Sequence, residues 1–319
     1  MNNKKSIMAF SGILILIFHL WINISAGVPE SFIKQTAYIG VDIFLFISAY
    51  SLASHKIDSY WNFVLSRFKH VYLKYVFFSV VGFIFAHWSL PRLIKVILAV
   101  ELFEKGGGAF LWFLPALMIL YVLYPFLESF YKKNPVVCLI VIFACWALVG
   151  WLLTYFKLCP HIFILLNRIP IFLLGFVAKK SGLLEKLGDR PGYKIMSGAF
   201  LIVSGYYILY FTGFTLKLSS PFVDTFYVCA IPAAIGLVLL LDMIPETNII
   251  RAIGGSTLEL YALQMIFGYK LANYILKATK NNRITNFLVI LLMLLLATMV
   301  SAGLKKLYIY LNNIHYSDK

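Results

Sequence analysis

Apolar residues run along this chain in ten long stretches, separated by short joints that carry charge, proline or glycine. The stretches cover roughly residues 6–26, 37–54, 71–90, 110–129, 135–156, 160–178, 193–213, 221–243, 257–276 and 285–308. A hydrocarbon core about 30 Å thick needs about 20 apolar residues per helix. The pattern therefore predicts an all-α, polytopic membrane protein with about ten transmembrane helices. No repeat of about 20–50 residues breaks the series, so residues 1–319 read as a single transmembrane domain with no appended soluble domain. The first stretch is too long for the apolar region of a signal peptide and lacks a clear small-x-small cleavage pattern, so it reads as a retained helix. Residues 92–103 alternate basic and apolar positions (Arg92, Lys95, Val96, Leu98, Leu102) and predict a short interfacial helix. Gly106, Gly107 and Gly108 follow. They predict a flexible joint and lack the Lys-Ser/Thr of a phosphate loop.

Composition sharpens this picture. The chain is 61% hydrophobic and 13% charged, about half the charge of an ordinary soluble domain. That excludes a disordered chain and a soluble globule of this size. The lipid bilayer is the expected partner. The net charge is +15. In a soluble protein that would suggest nucleic acid; here the basic residues fall in joints facing a membrane surface, and no nucleic-acid partner is expected. With the N-terminus cytoplasmic, 17 Lys and Arg lie on the inner side and 9 on the outer, including Lys34, Lys217 and Arg283. The bias places both termini in the cytoplasm and the protein in the plasma membrane. Cys138, Cys145, Cys159 and Cys229 form no Cys-x-x-Cys pair. They read as small core residues, with no metal site expected.

Charge inside an apolar stretch is costly, about 3 kcal/mol at mid-bilayer, so it marks candidate chemistry. At a rise of about 1.5 Å per residue, His19 lies ~20 Å from the inner edge and ~10 Å from the outer. Asp42, Arg168 and Lys270 come from three other stretches and lie ~7 to ~12 Å below the outer edge. Four ionisable groups thus share one layer. Each has an ordinary structural reading: an interhelical hydrogen bond for His19, mutual pairing for Asp42 and Arg168, snorkelling for Lys270. As a pocket they read differently. A neutral imidazole takes a proton from a hydroxyl attacking a carbonyl. A carboxylate such as Asp42 on its other nitrogen holds the tautomer, and Arg168 or Lys270 holds an anionic group or a developing oxyanion. No Gly-x-Ser-x-Gly or His-Glu-x-x-His pattern competes with this reading.

Several segments also resemble a known family. Ser11 to Leu20, with His19 near its end, looks like the first helix of the membrane acyltransferase-3 family, the polysaccharide O-acetyltransferases. Gly40-Val41-Asp42 through Ser48 resembles that family's second motif. Phe63 to Tyr72 resembles its basic inner segment, and Trp112-Phe113-Leu114 with Tyr124-Pro125 its fourth-helix motif. Arg168-Ile169-Pro170 with Gly175, and Gly254 to Tyr261 with Glu259, resemble two later ones. The chain departs from the pattern at Met8, Ala49, His70 and Gln264, where the family usually carries a basic residue, a glycine, an arginine and a histidine.

The resemblance implies transfer of an acyl group, usually acetyl from acetyl-CoA, to a hydroxyl of a surface or lipid-linked glycan. His19 matches the family's essential histidine and is the expected general base or transient acyl acceptor, with Asp42 and Arg168 beside it. The basic segment implies that Arg67, Lys69 and His70, with Lys74, hold the CoA end. Ser48, Trp112, Glu259, Gln264 and Lys270 are candidates for contact with the acceptor. The competing reading is a transporter or flippase for a glycan or anionic solute, with the charged layer lining its path.

Overall fold

Several helices in this chain begin at a proline or a capping oxygen, at Pro91, Pro135 behind Asn134, Pro170 and Thr247. The computed structural model describes residues 1, 3–21, 36–57, 59–188, 190–210, 225–280, 282 and 284–317. Among them there is helix and turn but no strand. The helices are α1 (Lys4–Leu20), α2 (Gly40–Leu52, entered through a 3₁₀ turn at Ala37–Ile39), α3 (Tyr60–Ala86), α4 (Leu90–Ile97) and α5 (Val100–Lys105). Then come α6 (Phe113–Lys133), α7 (Pro135–Tyr155), α8 (Phe163–Leu166), α9 (Ile169–Lys180), α10 (Leu183–Gly188) and α11 (Pro191–Tyr210). The last are α12 (Thr225–Leu241), α13 (Asn248–Gly255), α14 (Thr257–Leu263), α15 (Tyr269–Ala278) and α16 (Ile284–Ser317). A π-helical turn, Gln264–Gly268, joins α14 to α15 without interrupting the helix.

Among the described residues, four helices are long and apolar enough to cross a membrane: α3, α6, α7 and the Ile284–Lys306 part of α16. Ala37–Leu52 and Ala230–Leu241 are apolar but shorter. Of the other expected stretches, 160–178 is broken at Asn167 and 257–276 contains a π-helical turn. The ends of the first, seventh and eighth stretches, with Lys34, Lys217, Arg283 and Lys319, lie outside the described residues. Large apolar side chains stand exposed along α3, α7 and α16, among them Phe77, Ile84, Ile140, Trp151, Leu291 and Met299. Lipid suits such a surface. Helix α3 starts earlier than the 71–90 stretch suggests. Its 27 residues span about 40 Å against a core of about 30 Å, so the Phe63–Tyr72 segment rides on a helical extension of the span.

Two compact units divide the chain: Met1–Phe44 with Leu237–Lys319, and Leu45–Gly236. In the first, α1 is the central element, packed against the Ala37–Ile39 turn, α13, α14, the π turn and α16. No side chain of its own caps it. The segment after α12 does so instead: Asn3 N donates to Asp242 Oδ1 at 3.0 Å and Lys5 N to Glu246 Oε1 at 2.7 Å. Two amides at the start of the helix thereby find carboxylates, which also suit the positive end of the helix dipole. Near the entry to α2, a Cβ on Gly40 would fall 2.6 Å from the Ser11 carbonyl oxygen and 2.9 Å from Leu14 Cβ. Only glycine allows that approach.

In the second unit, the expected 160–178 span is broken. A 3₁₀ turn and the four-residue α8 end at Asn167, and α9 starts at Ile169 with Pro170 in its first turn. Proline has no N–H to give the Leu166 carbonyl four residues back. The carbonyls of α8 are satisfied from elsewhere. Asn167 N and Nδ2 donate to Phe163 O, Arg168 Nη1 to Ile164 O at 3.1 Å, and Arg168 N to Leu165 O. The Trp146 indole donates to Leu166 O at 2.8 Å. A buried carbonyl without a donor costs about 1–3 kcal/mol. Trp146→Phe, which keeps an aromatic ring but no donor, is expected to destabilise the protein by that amount, read as a lower Tm in detergent.

The expected single helix over 92–103 is two, α4 and α5, because Ala99 takes a left-handed φ of 60° between them. Glu101 is buried at this corner and accepts from Arg92 Nε, Lys105 Nζ and Phe110 N. Burial pushes the Glu101 carboxyl up, but the three hydrogen bonds outweigh it and hold the group below its ordinary value. The glycine triplet is a packed joint rather than a loose one: Gly106 has φ +53° and a Cβ there would fall 2.5 Å from His161 O. Of the described cysteines, Cys138 is buried as expected of a core residue, while Cys145 and Cys159 are exposed. The side chain of Cys229 lies outside the described residues.

Ion pairs tie helix ends together on the expected inner side of this unit. Lys180 reaches Glu128 Oε1 at 2.8 Å and Lys132 reaches it at 3.2 Å. Lys179 pairs with Glu185 at 2.6 Å, and Tyr50 donates to the same carboxylate at 2.8 Å. The Lys179 hydrogen bond, with that of Tyr50, outweighs burial and draws the Glu185 carboxyl from 4.5 down to about 2. A depressed carboxylate stabilises the fold above its ordinary value and loses that contribution as pH falls through the folded value. The tie at α10 is therefore expected to hold at pH 5 and above and to fail between pH 4.5 and about 2. Hydrogen exchange of Leu183–Gly188 checks this: protection should drop across that window, and Glu185→Gln should remove the pH dependence.

Candidate active site

His19 lies in the last turn of α1 and is half-buried. Helical side chains fold back over the preceding turn, which brings His19 Nδ1 to 2.8 Å from the Ile15 carbonyl oxygen. A carbonyl only accepts. Nδ1 therefore carries a proton, and in the neutral ring Nε2 holds the lone pair. The Ile15 carbonyl of the same helix thus holds the Nδ1 side of the ring. Phe18 stands edge-on to the His19 ring at 5.1 Å, and the Tyr261 ring lies 6.4 Å away.

The rest of the first unit's candidates surround α1. Gln264 opens the π turn, is 2% exposed, and places Nε2 3.4 Å from His19 Nδ1. Glu259, on α14, is buried. Asp42 is 2% exposed in the first turn of α2, two residues after the Gly40 contact with α1. Lys270 is exposed. The structure thus brings Gln264 to His19, sets Asp42 and Glu259 in the buried interior of the same unit, and leaves Lys270 at its surface.

The second unit holds the others. Arg168 is 1% exposed at the break before α9, with its guanidinium carbon 5.2 Å from the centre of the Trp112 ring. Charge against an aromatic face in a dry site is favourable. Ser48 is hydrogen-bonded with Tyr121, which also lies in the field of Arg67. Arg67 stacks on Phe63 at 5.3 Å, and Phe63 packs on Tyr124. The basic segment therefore divides: Arg67 leans on aromatic rings, Lys69 and His70 are exposed, and Lys74 is half-buried. Among the described residues, Arg67, Lys69 and His70 form no ion pair with a carboxylate. Such cations suit a phosphate-bearing ligand by charge, and Arg67 by its fork geometry as well. Among the described residues no group of three His, Cys, Asp or Glu side chains could hold a metal ion.

Sequence reasoning missed three parts of this arrangement. The Ile15 carbonyl was hidden because any residue would supply it. The π turn leaves no compositional signal, although Gly268 at its end marks a close approach. The Trp146 donor was findable from Pro170, which leaves the carbonyl four residues earlier in need of one.

A family model described as an acyltransferase domain matches residues 9–305, a range that takes in every candidate site residue. No curated protein and no solved structure gives a significant match.

Proposed function

The chain belongs to the membrane acyltransferase-3 family, and we propose that it moves an acetyl group from acetyl-CoA to a hydroxyl of a cell-surface or lipid-linked polysaccharide. The observation that carries this reading is the His19 ring, held by the Ile15 carbonyl in the tautomer whose Nε2 is basic. In the reaction, Nε2 takes the proton of the acceptor hydroxyl as its oxygen attacks the thioester carbonyl. The C–S bond breaks, an O-acetyl ester forms, and the imidazolium returns its proton to the departing CoA thiolate. In the alternative sequence of steps, Nε2 attacks the thioester first and an acetyl-imidazole passes the group on. Acetylated protein trapped by rapid quench with donor alone would identify the second route.

Acetyl-CoA is the cytoplasmic substrate in this reading, its phosphates near Arg67, Lys69, His70 and Lys74 at the base of α3. The glycan hydroxyl enters from the outer face, where His19 lies ~10 Å deep by helix rise. Arg168 on Trp112 supplies a fixed positive charge in the second unit, suited to an anionic group on the acceptor. Asp42 and Glu259 support the polar interior, and Ser48 and Lys270 remain candidates for acceptor contact. Both termini are placed in the cytoplasm of a plasma-membrane protein, in one domain with about ten spans. Mass spectrometry of surface glycans from cells with and without the chain tests the reading. Loss of one acetyl per repeat is expected; unchanged acetylation with failed export or altered chain length would overturn it.

A further inference from the structure

Gln264 is buried, yet its Oε1 has no hydrogen-bond partner among the described residues. A buried amide oxygen left without a donor is costly, so its retention needs a reason. The other end of the same amide lies 3.4 Å from His19 Nδ1. Because Nδ1–H already donates to Ile15 O at 2.8 Å, an NH₂ group facing it would meet a donor with a donor. A half-turn of the amide exchanges its two nearly isosteric ends. The oxygen then faces Nδ1–H as a second, longer acceptor, and the NH₂ takes the former place of Oε1.

The position of this amide is built in. A π turn adds a residue to the helical turn and re-aims the side chains around it, a device frequent at functional sites. Its far end is seated on α1: a Cβ on Gly268 would fall 2.7 Å from Leu20 Cδ1. Leu20 follows His19 in the chain, so the contact that fixes the π turn and the residue it serves lie in one turn of α1.

We propose that Gln264 is a positioning residue for His19: its carbonyl shares the Nδ1 proton with Ile15 and strengthens as the ring becomes imidazolium. This rests on the general-base reading of His19. At 3.4 Å the contact is weak while the ring is neutral. Charge on the ring shortens and strengthens it, so the gain falls mainly on the transition state and appears in kcat.

The test uses the purified full chain in lipid nanodiscs. Gln264→Met keeps the volume and loses the acceptor. It should lower kcat for acetyl transfer about tenfold, with KM for acetyl-CoA and acceptor changed less than about twofold. Gln264→Glu keeps the length and an acceptor and should stay within about threefold of wild type. In a His19→Ala background, Gln264→Met should change nothing further. The ¹⁵N resonance of His19 Nδ1, assigned by its loss in His19→Ala, should move in Gln264→Met, and this is read without turnover. Wild-type kcat in Gln264→Met, an equal loss in Gln264→Glu, a further loss in the His19→Ala background, or an unmoved resonance would each overturn the proposal. A resonance that moves in a protein that transfers no acetyl group would leave the positioning contact standing and remove the acetyltransferase reading.

Discussion

His19→Ala is expected to lower the rate of the proposed acetyl transfer by about 10² to 10⁴, the usual worth of a positioned general base. The substitution is expected to leave the fold in place, because the ring is only half-buried and bonds to a carbonyl of its own helix. Thermal stability in detergent is therefore expected to stay within about 1 kcal/mol of wild type. Free-thiol release from acetyl-CoA, followed with glycan acceptor present, gives the rate. His19→Gln is a useful companion. It can still accept and donate hydrogen bonds but takes up no proton near neutral pH, so it should be as inactive as alanine. Activity in His19→Gln comparable to wild type would mean that the ring binds rather than titrates.

Gly40→Val damages both the fold and the reaction. The added Cβ alone would stand 2.6 Å from Ser11 O and 2.9 Å from Leu14 Cβ, both on α1. Backbone cannot yield as a flexible side chain does, so α1 and the start of α2 must part. Overpacking of this kind costs typically about 1–3 kcal/mol. The same displacement separates the helix that carries His19 from the turn that carries Asp42. A misplacement of about 1 Å near reacting groups costs on the order of 100-fold in rate. Gly40→Val should therefore unfold at a lower temperature and lose about 100-fold in kcat even where it remains folded. Gly40→Ala, with the smallest side chain, should show the same two effects in lesser degree.

What the sequence disclosed follows from where charge is scarce. His19, Asp42 and Arg168 stood out because each interrupts an apolar stretch, and the structure places all three in partly or fully buried surroundings. The basic segment before Tyr72 was legible as a cluster, but its split was not. Arg67 leans on Phe63 while Lys69 and His70 are exposed, a matter of side-chain packing that composition does not encode. Backbone chemistry was the main blind spot. A run of apolar residues reads the same whether the helix is continuous, broken at Asn167 or widened at Gln264. The capping of α1 was invisible for another reason: Asp242 and Glu246 lie about 240 positions away from the amides they receive. Only the folded chain brings them together.

The pH dependence of wild-type acetyl transfer tests the central claim most directly. Initial rates are followed from pH 5 to 8, with a glycan acceptor and with chemistry shown to limit turnover. If Nε2 of His19 is the base, the rate falls toward acid pH with the slope of a single protonation, and the residual rate of His19→Ala shows no such limb. A flat wild-type profile across that range, or the same acid limb in His19→Ala, would contradict the account.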